Sequence, residues 1–152
     1  WGANCGPGAI AAITGMSLDS VRPNMGDFES KKYTRPTMMW AVLERIGRPW
    51  QRIGKQWPRF GLVRIQWEGP WTAPNVPIRA RYRFTHWIAS WKSESRGHGV
   101  FDINCCGNDT GWTSRSQWEE IVAPYIIRHI PRAYPSWHIT HGVEVEPKKL
   151  TV

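Results

Sequence analysis

Three side chains far apart in the sequence have the types that nucleophilic acyl transfer requires: Cys5, His86 and Asp102. Cys5 stands in "NCGPGAIAAITG", where small residues lead straight into an alanine-rich run. At the start of a helix the exposed backbone N–H groups and the dipole favour negative charge, which lowers a thiol's pKa. Pro7 fits the first turn, where its missing N–H costs nothing. Asn4 and Gly6 flank the cysteine, and Gly6, Gly8 and Ala9 leave room for a substrate to approach. A thiolate also needs a base partner. His86 lies on a long strand-like run well downstream, and an imidazolium there would form an ion pair with the thiolate. The histidine in turn needs an orienting acceptor. "GVFDIN" supplies Asp102, and by alternation Asn104 points the same way, so either side chain can hold the ring.

The elements that must position these residues are readable from periodicity. Cys5 to Thr14 reads as a helix stopped by Gly15, and Ser17 caps a short turn through Val21. Residues 22–33 read as a polar surface loop. A helix opens at Thr34 and Pro36, with Met38, Val42 and Ile46 at four-residue spacing, and Gly47 ends it. "PWQRIG" and "GLVRIQW" are short strands. "EGPWTAPNVP" carries three prolines and reads as a long exposed loop in which Trp71 forms a wall of the substrate cleft. "RARYRFTHWIASW" is the longest strand expectation, with Arg79, Arg81 and Arg83 on one face and Tyr82, Phe84 and His86 on the other. "HGVFDIN" follows as a strand after a turn at Glu94 to Gly97. Ser114 and Gln117 stand in capping-box register at the start of a late helix. Its apolar face uses Trp118, Ile121 and Val122, and Pro124 breaks or kinks it. "WHITHGVEVE" is the last strand. Helices first, then strands, then a helix and a strand predict an α+β fold with a largely antiparallel sheet.

The chain has 152 residues, 41% of them hydrophobic, which fits one domain with a real core and excludes a disordered tail or a coiled coil. No apolar run approaches the roughly 20 residues that span a bilayer. The first residues lack the basic start and apolar stretch of a signal peptide. Because the chain begins at Trp1 rather than Met, residues upstream are expected to have been removed or left out. Three cysteines, with Cys105 and Cys106 adjacent, make a poor disulfide framework and point to a reducing compartment. The formal charge of +8 can attract an acidic polymer, an acidic partner or nucleic acid. No nucleic-acid-binding motif accompanies it, so a nucleic-acid partner is not expected. Eleven tryptophans are scattered along the chain, suited to large-area packing with a few left to line a groove.

"NCGPGAIAAITG", "THWIASW", "GVFDIN" and "GWTSRSQWEE" together resemble the papain-like cysteine peptidases, in particular the bacteriocin-processing type and its bacterial and phage relatives. The resemblance implies a papain-like α+β fold with an N-terminal catalytic helix packed on the sheet. It implies Cys5 as nucleophile, His86 as general base and Asp102 as orienting residue, with no cofactor. A peptide, a cell-wall peptide or another acyl compound is the implied substrate, and Gly6, Trp71 and Trp87 are expected to bind it. The implied setting is the cytoplasm or a phage particle, where an inactive relative would serve as a binding module. The family's oxyanion hole usually takes a glutamine a few residues before the cysteine, and none stands between Trp1 and Asn4. The family's aspartate is often followed by proline, whereas Ile103 and Asn104 follow here, which keeps Asn104 as a rival to Asp102.

His98, His138 and His141 compete with His86, and His141 is the most serious because it too sits on an apparent strand. A metal site is not expected. No C-x₂-C spacing occurs, and His138 and His141, three apart on a strand, should face opposite ways.

Overall fold

A computed structural model describes residues 4–105 and 110–149; Cys106 therefore lies outside the described residues. Helix α1 (Cys5–Thr14) ends where Gly15 adopts the left-handed conformation, at φ 71°. Helix α2 (Leu18–Val21) is capped by the Ser17 hydroxyl, which accepts from the Ser20 N–H. Residues 22–33 are more ordered than their polarity predicts. A 3₁₀ turn (Arg22–Asn24) and helix α3 (Phe28–Lys31) occupy them, because Met25 and Phe28 are both buried and anchor the segment. Helix α4 (Pro36–Arg45) starts on its proline and buries Met38, Met39, Val42 and Leu43.

The sheet is six-stranded, wholly antiparallel and ordered β1-β6-β2-β3-β4-β5. Its strands are β1 (Trp50–Arg52), β2 (Phe60–Trp67), β3 (Thr85–Ser93), β4 (Gly97–Phe101), β5 (Trp112–Ser114) and β6 (Trp137–Val145). The protein is thus α+β, with the helices laid on both faces of the sheet. On one face α1 and α4 bury Ile10, Met39 and Leu43 against Leu62, Trp87 and Val143. On the other, Val63, Ile65, Trp67 and Ile88 pack with Trp118 and Ala123. Strand β2 is covered from both sides, and each of Leu62, Val63 and Ile65 contributes about 2 kcal/mol by leaving water. No helix among the described residues is long and apolar enough to cross a membrane.

Three sequence expectations are corrected. Residues 79–83 are not strand: Ile78–Arg81 form a short helix, α5, and β3 begins only at Thr85. Arg81 holds the preceding loop by donating to the Val76 and Pro74 carbonyls, and Phe84 takes a positive φ of 53° that interrupts any strand before it. The late helix runs through Pro124, so of the break or kink expected there the break does not occur. Helix α6 (Arg115–Gln117) passes through a π-helical turn (Trp118–Val122) into α7 (Ala123–Arg128). The extra residue in that turn swings Ile121 outward to 63% exposure, where a regular apolar face would have buried it. Finally, β6 carries a bulge at Thr140, with Ile139 opposite Ile65 and His141 opposite Arg64. That bulge brings His138 and His141 onto the same face of the sheet, opposite Gln66 and Arg64.

Candidate active site

Helix α1 delivers Cys5 at its first turn, against the start of β3. The thiol meets the His86 side chain and the backbone N–H groups of Trp87 and Gly6. His86 is 7% exposed, and its Nε2 lies 2.9 Å from Oδ2 of Asp102, just past the end of β4. With Nε2 engaged there, Nδ1 is the ring nitrogen left for the thiol. The structure therefore joins Cys5, His86 and Asp102 in one chain of contacts. Asn104 is not the rival acceptor. Its backbone N–H and side-chain amide both donate to Oδ1 of Asp102, at 2.8 and 3.1 Å, so it braces the carboxylate and leaves the imidazole to it.

Asp102 is fully buried, and all of its partners are donors. Oδ2 accepts from His86 and from the Trp118 indole N–H at 2.8 Å; Oδ1 accepts both bonds from Asn104. Burial alone would raise its pKa. The His86 charge and these hydrogen bonds overcome that and hold the carboxyl below its ordinary value. For His86, burial disfavours the charged ring, but the Asp102 charge and hydrogen bond, helped by Cys5, raise its pKa from 6.5 to about 10. At Cys5, burial pushes the thiol up, while the hydrogen bond to His86, its charge and the two N–H groups bring the net pKa below its ordinary value. Both shifts run in the direction of a thiolate–imidazolium pair.

Trp118 was legible only as a helix-face residue, yet it holds the orienting carboxylate. The available signal was that a buried indole N–H needs an acceptor. Trp67 stacks near both Trp118 and His86, with ring centres 6.2 and 6.0 Å apart, and so shields the pair from water. Replacing Trp118 by Phe is expected to cost about 2 kcal/mol, the worth of a buried hydrogen bond to a charge. It should also move the onset of Cys5 reactivity to higher pH. Thermal melts with a pH profile of Cys5 alkylation check this, and an unchanged profile counts against a role for the indole in holding Asp102.

The competing histidines are engaged elsewhere. His98 pairs with Ser90 at 2.8 Å, and burial, with Arg115 and Lys92 nearby, lowers its pKa to about 4. His138 meets Glu68 at 2.9 Å. His141 contacts Thr140 and packs near Trp40. Among the described residues no group of three or more His, Cys, Asp or Glu side chains comes together to hold a metal ion.

A cleft of about 410 Å³ opens on Cys5, lined among others by Thr34, Arg35, Arg64, Tyr82 and Trp87. Trp87 fulfils its sequence expectation in position only: it is 1% exposed, and its indole N–H donates to the Thr34 carbonyl at 3.3 Å. Gly6 and Trp71 lie outside the lining. A Cβ on Gly6 would stand 2.6 Å from the Thr34 side chain, so Thr34 fills the space kept for a substrate in the sequence reading. Trp71 is buried behind Phe84, with ring centres 4.7 Å apart and its indole N–H on the Trp67 carbonyl. Phe84 takes the place in the wall that Trp71 was expected to hold. Comparison of the chain with protein-family models, with curated proteins and with solved structures found no match, so the site rests on its own geometry.

Proposed function

We propose that this protein is a papain-like cysteine hydrolase that cleaves an amide or peptide bond through Cys5, His86 and Asp102. The observation that carries the reading is the buried His86 ring, which meets Cys5 on one side and Asp102 on the other. The Cys5 thiolate adds to the substrate carbonyl carbon, and the oxyanion forms beside the Cys5 N–H at the start of α1. His86 gives its proton to the leaving amine, and the C–N bond breaks to leave a thioester on Cys5. Neutral His86 then takes a proton from water as its oxygen attacks the thioester. The acid departs, and the thiolate and imidazolium are restored. Asp102 keeps Nε2 protonated throughout, so Nδ1 is the nitrogen that trades protons with the reaction. A peptide, including a cell-wall peptide, is the substrate class, and the net charge of +8 would draw the enzyme to an acidic polymer or particle surface.

Alkylation of Cys5 by iodoacetamide, followed across pH, tests this. The wild-type rate should rise at a pH below the ordinary thiol value of 9.0 and change again near 10, where His86 loses its proton. In His86→Ala, burial raises the thiol pKa with only the Trp87 and Gly6 backbone N–H groups left to oppose it. With ~1% or less ionised at about pH 6.5, the rate there should fall about a hundredfold. Equal rates in the two proteins at that pH would end the hydrolase reading.

A further inference from the structure

Arg64 lies in the middle of β2, where its neighbours Leu62, Val63 and Ile65 are all fully buried. The side chain is itself only 8% exposed, yet it lines the Cys5 cleft. Its partners do not match its charge. One Nη2 contact reaches the Thr85 hydroxyl at 3.4 Å, the guanidinium carbon sits 5.4 Å from the Tyr82 ring centre, and Nε has no hydrogen-bond partner. Among the described residues no carboxylate lies within ion-pair distance of it, and no acidic side chain lines the cleft, whose rim adds a second cation in Arg35. Burying an arginine without a counter-ion costs several kcal/mol. The Cys5 thiolate acts on it through charge only: among the described residues the guanidinium's one side-chain hydrogen bond goes to Thr85, so its donors stay unmatched. The mismatch is resolved if the counter-charge arrives with the ligand.

We propose that Arg64 is the carboxylate-binding residue of the Cys5 cleft, and that the substrate is an amide whose acyl portion carries a free carboxylate close to the scissile carbonyl. An acidic side chain next to the cleaved bond, or the α-carboxylate of a side-chain-linked residue, has this chemistry. The planar guanidinium presents two parallel N–H donors that suit a carboxylate. Thr85 and Tyr82 fix the orientation of that fork before substrate arrives. This proposal rests on the hydrolase reading for the identity of the substrate, but the anion site stands on geometry alone.

Two reagents separate the two claims. Iodoacetamide is neutral and reports the Cys5 thiolate, whereas iodoacetate carries a carboxylate directly on the carbon that the sulfur attacks. The ratio of their rates, read at the Cys5 peptide by mass spectrometry and normalised to glutathione, cancels the thiolate fraction. Arg64→Gln should lower that ratio by about tenfold or more, the worth of one charge-assisted pair, and Arg64→Lys should keep most of it. A ratio in Arg64→Gln within about twofold of wild type, less than half a kcal/mol, overturns the proposal. If Arg64→Gln does not fold, the wild type decides. Glutarate should slow alkylation by iodoacetamide where glutaramide at equal ionic strength does not, and equal effects of the two overturn the proposal. Slow iodoacetamide alkylation with an Arg64-dependent ratio would sink the hydrolase and leave the carboxylate site. Fast alkylation with an Arg64-independent ratio would do the reverse.

Discussion

An Asp102→Asn protein is expected to be about 3 kcal/mol less stable than its parent near pH 5, the cost of breaking one buried charge pair. It should also alkylate Cys5 at about pH 6.5 as slowly as His86→Ala, roughly a hundredfold below wild type. The change is isosteric, so the effect comes from hydrogen-bond polarity. All four groups around the carboxylate are donors: His86 Nε2–H, the Trp118 indole N–H, and the Asn104 backbone and side-chain N–H groups. An amide placed there turns its NH₂ toward two of them in either flip. His86 can relieve one clash by shedding its Nε2 proton, but that leaves the ring neutral and removes the counter-charge of Cys5. Adding Trp118→Phe deletes one of the orphaned donors, so the two stability losses should sum to more than the double variant shows.

The pH dependence carries the same signature. Asp102 has a native pKa held below its ordinary 3.8, so its contribution to stability is present above that value and is lost as pH falls through the native one. His86 is raised from 6.5 to about 10, so its contribution is complete below 6.5 and is lost as pH climbs toward 10. Both operate together between 3.8 and 6.5. The difference in melting temperature between wild type and Asp102→Asn should be widest in that window and should narrow steadily toward pH 10. A difference that stays constant with pH would mean that no charged pair exists.

Gly61→Ala is the second large effect, at about 3 kcal/mol or more, from overpacking against rigid backbone. Gly61 lies in β2 between Ser90 of β3 and Glu144 of β6, at φ +156°, and a Cβ there would run into the carbonyl oxygen of Val143. A backbone oxygen in a paired strand cannot rotate aside, so β6 must move away from β2. For a chain of this length that corresponds to a fall in melting temperature of roughly 6–12 °C or more. Gly54→Ala is the control. It also has a positive φ, at 72°, but a Cβ there meets nothing within 4 Å. Its cost should stay at about 1 kcal/mol, the left-handed backbone penalty alone. Equal melting temperatures for the two variants would refute the packing argument.

Local signals were read correctly where one chemical rule acts alone. Gly15 ends α1 through its left-handed backbone, Ser17 caps α2, and Pro36 starts α4. The meeting of Cys5, His86 and Asp102 was legible because each residue type sat on an element whose start or direction its neighbours announce. Misreadings came where tertiary contacts outrank a local pattern. The alternating arginines of 79–83 mimic a strand, yet Arg81 spends its donors on loop carbonyls and the backbone coils around it. The inward set Trp118, Ile121 and Val122 assumed a regular helix, and one π-helical turn changed the phase. The prolines around Trp71 predict an exposed loop, but the buried area of the indole outweighs them. In the sequence Arg64 reads as one residue of a strand. A charged residue inside the largely apolar run "GLVRIQW", where Gln66 is the other polar side chain, is the available sign that something must come to meet it.

The outermost strands of the sheet, β1 and β5, are three residues each, whereas β2, β3 and β6 run to eight or nine and are all interior. Unpaired strand margins are where sheets of neighbouring molecules join, and short ones give a second chain too little ladder to hold. Arg52 and Gln51 keep the β1 margin wet and, at Arg52, charged. A protein so rich in tryptophan and β-forming residues is thereby kept from polymerising edge to edge, because its adhesive backbone is spent on internal pairing.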